Sequence, residues 1–221
     1  MLNIQQHEYY LKRILRDIAR DQDLNSKLVF KGGTCLYLFH GLDRFSVDLD
    51  FTLISENFST DKVQQILAKY LDVKNGRFSA GKHGWLWEAS YIKGRRKMQI
   101  DINKNVYPDK FEVEQFYGLS LRTLDRSSLF AHKLCAILDR KHFQNRDLYD
   151  SYFMFDNMFE INEAIIQQRT GKSVSDYLTV LEKYIDNEVD KNRTLQGFGE
   201  LLDEKKKQWV KDHLVDELLV H

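Results

Sequence analysis

Residues 31–53 read KGGTCLYLFHGLDRFSVDLDFTL, and this stretch carries most of what the sequence indicates about the fold. Adjacent glycines at 32–33 predict a turn between a short strand over 27–31 and a short helix over 34–40. From Val47 onward, apolar residues alternate with polar ones, which is the period of a strand that buries one face. The stretch therefore predicts a strand, a turn, a short helix and a second strand, in that order.

Two acids lie on the polar face of the second predicted strand. Asp48 and Asp50 stand at positions i and i+2, so their Cα atoms are about 6.5 Å apart on one face. A later segment, 96–103, also alternates and places Asp101 on the polar face of a strand that forms a hairpin with 85–92. Three carboxylates on one face repel one another unless a cation is present. We therefore expect these three acids to be catalytic and to bind Mg²⁺ or Mn²⁺ through their oxygens.

The glycine turn beside these acids has the features of a phosphate-binding turn. Gly32 and Gly33 allow close approach of the backbone, Thr34 adds a hydroxyl, and a helix N-terminus offers N–H groups to an anion. The pattern lacks the Gly-Lys-Ser/Thr ending of a Walker motif. A phosphate-binding turn beside carboxylates that hold metal ions is the combination that phosphoryl or nucleotidyl transfer requires.

Two motifs resemble those of a known family. Residues 31–51, KGGTCLYLFHGLDRFSVDLDF, are similar to the first motif of the AbiEii/AbiGii abortive-infection toxins, a branch of the DNA polymerase β-type nucleotidyltransferase superfamily. The single acid of MQIDIN, Asp101, matches the next acid of that active site. Residues 128–150, SLFAHKLCAILDRKHFQNRDLYD, resemble a later motif of the family, in which a Lys and an Arg-Asp-x-x-Asp face the nucleotide.

The resemblance covers about residues 30–150 and implies an activity and partners. The donor would be an NTP, the ion Mg²⁺, and the protein a toxin inhibited by a cognate antitoxin. Some relatives modify the acceptor end of tRNA, so tRNA or another RNA is the expected acceptor. The resemblance also implies nucleotide-binding residues, and these are Gly32, Gly33, Thr34, Ser46, Lys133, Arg146 and Asp147.

The fold expected from the whole chain is α+β. A nucleotidyltransferase core with a small mixed sheet flanked by helices should occupy residues 1–115, including an N-terminal helix whose buried stripe begins at Leu11. After Pro108 the spacing of apolar residues becomes helical. A helical C-terminal region over 116–221, packed on the core, is therefore expected.

Composition narrows the class of protein further. The chain has 221 residues, with 33 Lys and Arg against 33 Asp and Glu, so no global basic field indicates a nucleic-acid partner. A local basic run at 93–97 is a candidate for RNA contact, although such runs are usually solvated faces.

The N-terminus is charged, and no segment is apolar enough to span a membrane, so a cytoplasmic protein is expected. Cys35 and Cys135 lie among apolar residues and should be buried thiols.

Several alternatives are compatible with the same motifs. An isolated pair of acids is often the solvated face of an edge strand, and Lys133, Arg146 and Asp147 also fit a surface lysine and a helix that begins with an acid. Transfer of AMP to a protein, transfer of a sugar from a sugar nucleotide, and regulation by a bound nucleotide without catalysis remain open. The order of turn, paired acids and third acid favours nucleotidyl transfer, and the resemblance implies RNA as the acceptor.

Overall fold

The computed structural model describes residues 2–91, 97–140 and 143–220. Contacts divide the chain into two compact units. The first consists of Met1–Val106 and Phe111–Leu124, and the second of Tyr107–Lys110 and Asp125–His221. The predicted domain limits, 1–115 and 116–221, remain a proposal about which parts of the chain fold independently.

Within its described residues, the first unit contains the sheet and four helices. Its helices are α1 (Ile4–Arg20), α2 (Gln22–Lys27), α3 (Gly32–Phe39) and α4 (Thr60–Ala68). Its strands are β1 (Leu28–Lys31), β2 (Leu49–Leu53), β3 (Arg77–Gly81), β4 (Gly84–Ser90), β5 (Lys97–Asn103), β6 (Phe111–Phe116) and β7 (Leu119–Leu124). The strand, turn, helix and strand expected from residues 31–53 are therefore confirmed as β1, α3 and β2.

The seven strands form one mixed sheet in the order β3-β4-β5-β2-β1-β7-β6. Strand β2 lies at its centre, antiparallel to β1 and parallel to β5, and β1 in turn is parallel to β7. The hairpin expected from the two strands before Tyr107 is confirmed, since β4 and β5 pair antiparallel. Residues 92–96, which contain most of the basic run, lie outside the described residues.

The hairpin β6–β7 corrects the expectation of helical structure after Pro108. Its strands are antiparallel, and Phe116 pairs with Leu119, which leaves Tyr117 and Gly118 as the turn. Both turn residues have positive φ, 51° and 75°, as the tight turn that matches the twist of a hairpin requires. The helices of the C-terminal half begin only after this hairpin, with Arg126.

Burial follows the predicted patterns. The apolar stripe of α1 is fully buried, and it consists of Leu11, Ile14, Leu15 and Ile18. On β2, Leu49 and Phe51 are buried, whereas Asp50 between them is half-buried on the other face. The strand thus separates an apolar face, which contributes to the core, from a face that carries the acid.

The second unit is helical. Its helices are α5 (Arg126–Asp139), α6 (Asn145–Asp156), α7 (Glu163–Thr170), α8 (Val174–Glu188) and α9 (Glu204–Val220), with 3₁₀ turns at Lys191–Arg193 and Gly199–Leu201. Asp125 caps α5, since its carboxylate accepts a hydrogen bond from Ser128 N at 2.8 Å.

Cys35 in α3 and Cys135 in α5 are free, buried thiols, as expected. Among the described residues, no helix combines the length and the apolar character that a membrane span needs.

Candidate active site

Two of the three expected catalytic acids are brought together by the register of the sheet. In the parallel pairing of β2 with β5, Asp50 lies opposite Asp101. Residues paired across neighbouring strands direct their side chains to the same face of the sheet. The two carboxylates therefore share one face, and both are half-buried, so solvent reaches the pair.

The pKa of Asp101 records this arrangement. Burial and, as the second cause, the negative charge of Asp50 together raise the pKa of Asp101 from its ordinary value of 3.8 to about 6, while Lys31 opposes the shift. An acid with a raised pKa holds its negative charge at a cost. A cation placed between Asp50 and Asp101 would remove that cost.

The glycine turn lies directly against Asp50. Gly32, the first residue of α3, has a φ of +82°, which residues with a side chain rarely adopt. A methyl group added at Gly32 would lie 2.9 Å from Asp50 Cγ, inside van der Waals contact. Only glycine therefore lets the N-terminus of α3 approach this carboxylate. The residue before it, Lys31, occupies the N-cap of α3 without a side-chain capping bond, since an ammonium group has no acceptor.

Asp48 and Thr34 tie the turn to the strand. The Thr34 hydroxyl is fully buried and donates a hydrogen bond to the Asp48 carbonyl oxygen at 2.5 Å. The Asp48 carboxylate accepts a hydrogen bond from Gln99 N on β5 at 3.2 Å. Any contact of Thr34 with a triphosphate would therefore use its backbone N–H. The Asp48 carboxylate retains further lone pairs with which it can bind a cation.

Lys31 belongs to this site, although the sequence motifs assign it no role. It is the last residue of β1 and pairs with Asp50 in the antiparallel register. Its positive charge lowers the pKa of Asp101. The signal that could have identified it is its position, because a cation that ends a strand just before the turn lies beside the acids of the neighbouring strand. Ser46, another expected nucleotide contact, is buried in the segment before β2.

The three aspartates do not form a tight three-ligand cluster. Across the described part of the chain, the group of His, Cys, Asp or Glu whose ligand atoms all lie within 4.8 Å of one another consists of His40, Glu112 and Glu114. Asp50 and Asp101 are paired across β2 and β5, and the Asp48 carboxylate accepts a hydrogen bond from the β5 backbone. Mg²⁺ usually takes one or two protein carboxylates and completes its shell with water and substrate phosphates, so the pair fits such an ion.

The later motif forms a charged network inside the second unit. Lys133 Nζ on α5 lies 3.1 Å from Asp147 Oδ1 and 2.6 Å from Asp150 Oδ2, both on α6. Arg140 Nε lies 2.7 Å from the other oxygen of Asp147. Both carboxylates are buried, whereas Arg146 is half-buried in the first turn of α6. Because removing one partner of a buried ion pair leaves an uncompensated charge, Lys133 stabilises the pairing of α5 and α6.

A mixed sheet that presents paired acids beside a glycine turn can bind a metal ion and the phosphates of a nucleotide side by side. Residues 13–216 match the model of the family described as "Nucleotidyl transferase AbiEii toxin, Type IV TA system". The chain belongs to this AbiEii family of nucleotidyltransferase toxins, and it is a nucleotidyltransferase. No curated protein sequence matches it significantly.

Solved structures share the fold. JHP933 from Helicobacter pylori has a TM-score of 0.60 and 20% sequence identity, with 100% of this chain and 93% of that chain covered. A putative nucleotidyltransferase from H. pylori has a TM-score of 0.61 and 19% identity, with 100% and 96% covered. MenT4, a nucleotidyltransferase toxin from Mycobacterium tuberculosis H37Rv, has a TM-score of 0.51 and 15% identity, with 97% and 91% covered. At these identities the similarity shows a shared fold and nothing more.

Gly32→Ala should damage the site far more than the fold, and Gly41→Ala is its matched control. Both glycines have positive φ, +82° and +77°, so each substitution should destabilise the protein by about 1–2 kcal/mol. Nothing lies within 4 Å of a methyl group added at Gly41, whereas one added at Gly32 meets Asp50. The shift in melting temperature produced by Mg²⁺ with an NTP should therefore disappear only in Gly32→Ala. Equal shifts in both variants would contradict the assigned contact.

The raised pKa of Asp101 makes the metal-free protein less stable as the pH rises. The folded-state pKa of about 6 exceeds the ordinary 3.8, so protonation stabilises the fold fully below pH 3.8. This contribution is lost as the pH rises through 6. Asp101→Asn should therefore be more stable than the wild type at about pH 7.5, by about 1 kcal/mol after a discount for solvent screening.

Urea unfolding in the presence of a chelator measures this difference. The difference in stability between Asp101→Asn and the wild type should nearly vanish at about pH 4, where Asp101 is protonated in the folded protein. Asp61→Asn, which removes an exposed acid from the first turn of α4, is the control and should gain no stability. A gain from Asp101→Asn that is the same at both pH values would show that the carboxylate is not strained by its charge.

Proposed function

We propose that the protein transfers the NMP group of an NTP to tRNA or another RNA, with Mg²⁺ or Mn²⁺ as the cofactor. In this reaction an acceptor hydroxyl oxygen bonds to the α-phosphorus of the NTP, the bond from that phosphorus to the β-phosphate oxygen breaks, and pyrophosphate leaves. The observation that carries the proposal is the register of β2 and β5, which puts Asp50 and Asp101 on one face beside Gly32.

Each part of the site has a role in this proposal. Asp48, Asp50 and Asp101 hold the metal, and Asp101 also accepts the proton of the attacking hydroxyl at a carboxylate oxygen. The ion, when bound, neutralises charge on the phosphates. The first turn of α3, at Gly32 and Gly33, offers backbone N–H groups and the positive end of the helix dipole to the triphosphate.

The remaining nucleotide contacts are proposed by analogy with the family motif. Thr34 contributes its backbone, since its hydroxyl holds Asp48, and Ser46 lies in the same chain segment. Lys133, Arg146 and Asp147 are proposed nucleotide contacts. Lys133 forms ion pairs with Asp147 and Asp150, so contact with a phosphate oxygen would require it to exchange one of these partners.

The biological context is proposed on the same basis. The family description names a toxin of a type IV toxin–antitoxin system. We propose a toxin that acts in the cytoplasm on tRNA, as in abortive infection, and that a cognate antitoxin counteracts. The Lys and Arg side chains of the basic run at 93–97 are candidate contacts for the RNA backbone.

Transfer of label from α-³²P-NTPs to total RNA, with Mg²⁺ present, tests the reaction. The wild type should label RNA from at least one of the four NTPs, and Asp50→Asn should be reduced at least about a hundredfold, since a lost metal ligand removes several kcal/mol of transition-state stabilisation. Asp61→Asn, an exposed acid outside the site, should retain full activity.

The same assay separates the alternatives. Label from γ-³²P-NTP on the product would indicate phosphoryl transfer and contradict transfer of the NMP group. Label that follows protein in a cell lysate would instead identify an enzyme that AMPylates protein. Stabilisation by Mg²⁺ and NTP without any labelled product would identify a nucleotide-binding regulator. Equal labelling by the wild type and Asp50→Asn would remove Asp50 from the proposed site.

A further inference from the structure

A second cluster of metal-binding side chains lies at the other end of α3. The ligand atoms of His40, Glu112 and Glu114 all lie within 4.8 Å of one another. His40 Nε2 is 3.4 Å from Glu112 Oε1, and the His40 side chain is 1% exposed. Helix α3 rises about 1.5 Å per residue, so His40 lies about 12 Å from Gly32 and this cluster is separate from the aspartate pair.

The fold dictates that these three side chains converge. Glu112 and Glu114 are two residues apart on the edge strand β6, so both point to one face, while Val113 between them is exposed on the other. Helix α3 lies over that face, as the ring contact between Phe39 and Phe116 shows, with centroids 5.9 Å apart. The helix ends at His40, which delivers the imidazole to the two carboxylates.

Charge favours a cation at this position. The carboxylates of Glu112 and Glu114 raise the pKa of the buried Cys35 thiol on α3, after the larger effect of burial, so both charges reach the helix. An ion pair between a protonated His40 and Glu112 would leave the charge of Glu114 uncompensated in a half-buried place. A divalent ion balances both carboxylates. It would also lie at the C-terminus of α3, the negative end of the helix dipole.

From this geometry we infer that His40, Glu112 and Glu114 form a second divalent-metal site, distinct from the aspartates. One imidazole nitrogen and two carboxylate oxygens are a donor set for Zn²⁺ or another transition metal, whereas Mg²⁺ prefers oxygen alone. Three protein ligands leave a coordination position for water or a further ligand. The site joins the edge strand β6 to the end of α3, and metal binding there should stabilise the first unit.

Zn²⁺ titration of tag-free protein, followed by calorimetry without any NTP, tests this site. The background is the double variant Asp50→Asn with Asp101→Asn, in which the aspartate pair cannot hold the ion. One equivalent of Zn²⁺ should still bind. Adding Glu114→Gln to this background should weaken binding at least tenfold, and adding Glu160→Gln, an exposed acid of the second unit, should leave it unchanged. Co²⁺ bound at the same site should show a visible absorption band that Glu114→Gln removes.

The outcomes decide between a metal site and an ion pair. Glu114 is half-buried, so Glu114→Gln should fold, and its melting temperature in a chelator should equal or exceed that of the background because one like charge is removed. Zn²⁺ affinity that is insensitive to Glu114→Gln, or absent from the background, overturns the inference. Because the readout is binding without NTP, this result is independent of whether the protein transfers nucleotides.

Discussion

The rest of the site depends on two carboxylates that the sheet holds on one face, where they repel each other. Parallel pairing of β2 with β5 places Asp50 opposite Asp101, and the backbone hydrogen bonds of the sheet keep them there. Burial first, and the charge of Asp50 second, disfavour the ionised form of Asp101, as its raised pKa indicates. A structure that maintains like charges in register has a binding site prepared for a cation, and the free energy of cation binding offsets the repulsion.

Neighbouring residues fix the geometry of this pair. Gly32 lets the start of α3 come against Asp50, and Thr34 fastens the same helix to the Asp48 backbone. Lys31 supplies a positive charge that partly compensates the acids. These contacts hold the N-terminus of α3 against the negatively charged face of the strand. Anionic phosphates and a cation can be bound side by side at such a junction.

The sequence predicted the elements that one local pattern determines, and it missed those that depend on pairing. Strand β2 and the position of Asp101 were evident from alternation alone. The β6–β7 hairpin was missed, although residues 111–124 alternate and Gly118 marks the tight turn. The involvement of Lys31 and the convergence of His40 with Glu112 arise from contacts between segments distant in sequence, which periodicity does not report. The burial of the Thr34 hydroxyl likewise depends on tertiary packing.

The central claim is that the pair of Asp50 and Asp101, beside the Gly32 turn, binds the ion that accompanies the nucleotide. Anomalous diffraction from crystals grown with Mn²⁺ and a non-hydrolysable NTP tests it most directly. We expect an anomalous peak in contact with both carboxylates, with the triphosphate against the first turn of α3. A bound nucleotide whose Mn²⁺ touches neither Asp50 nor Asp101 would contradict the claim.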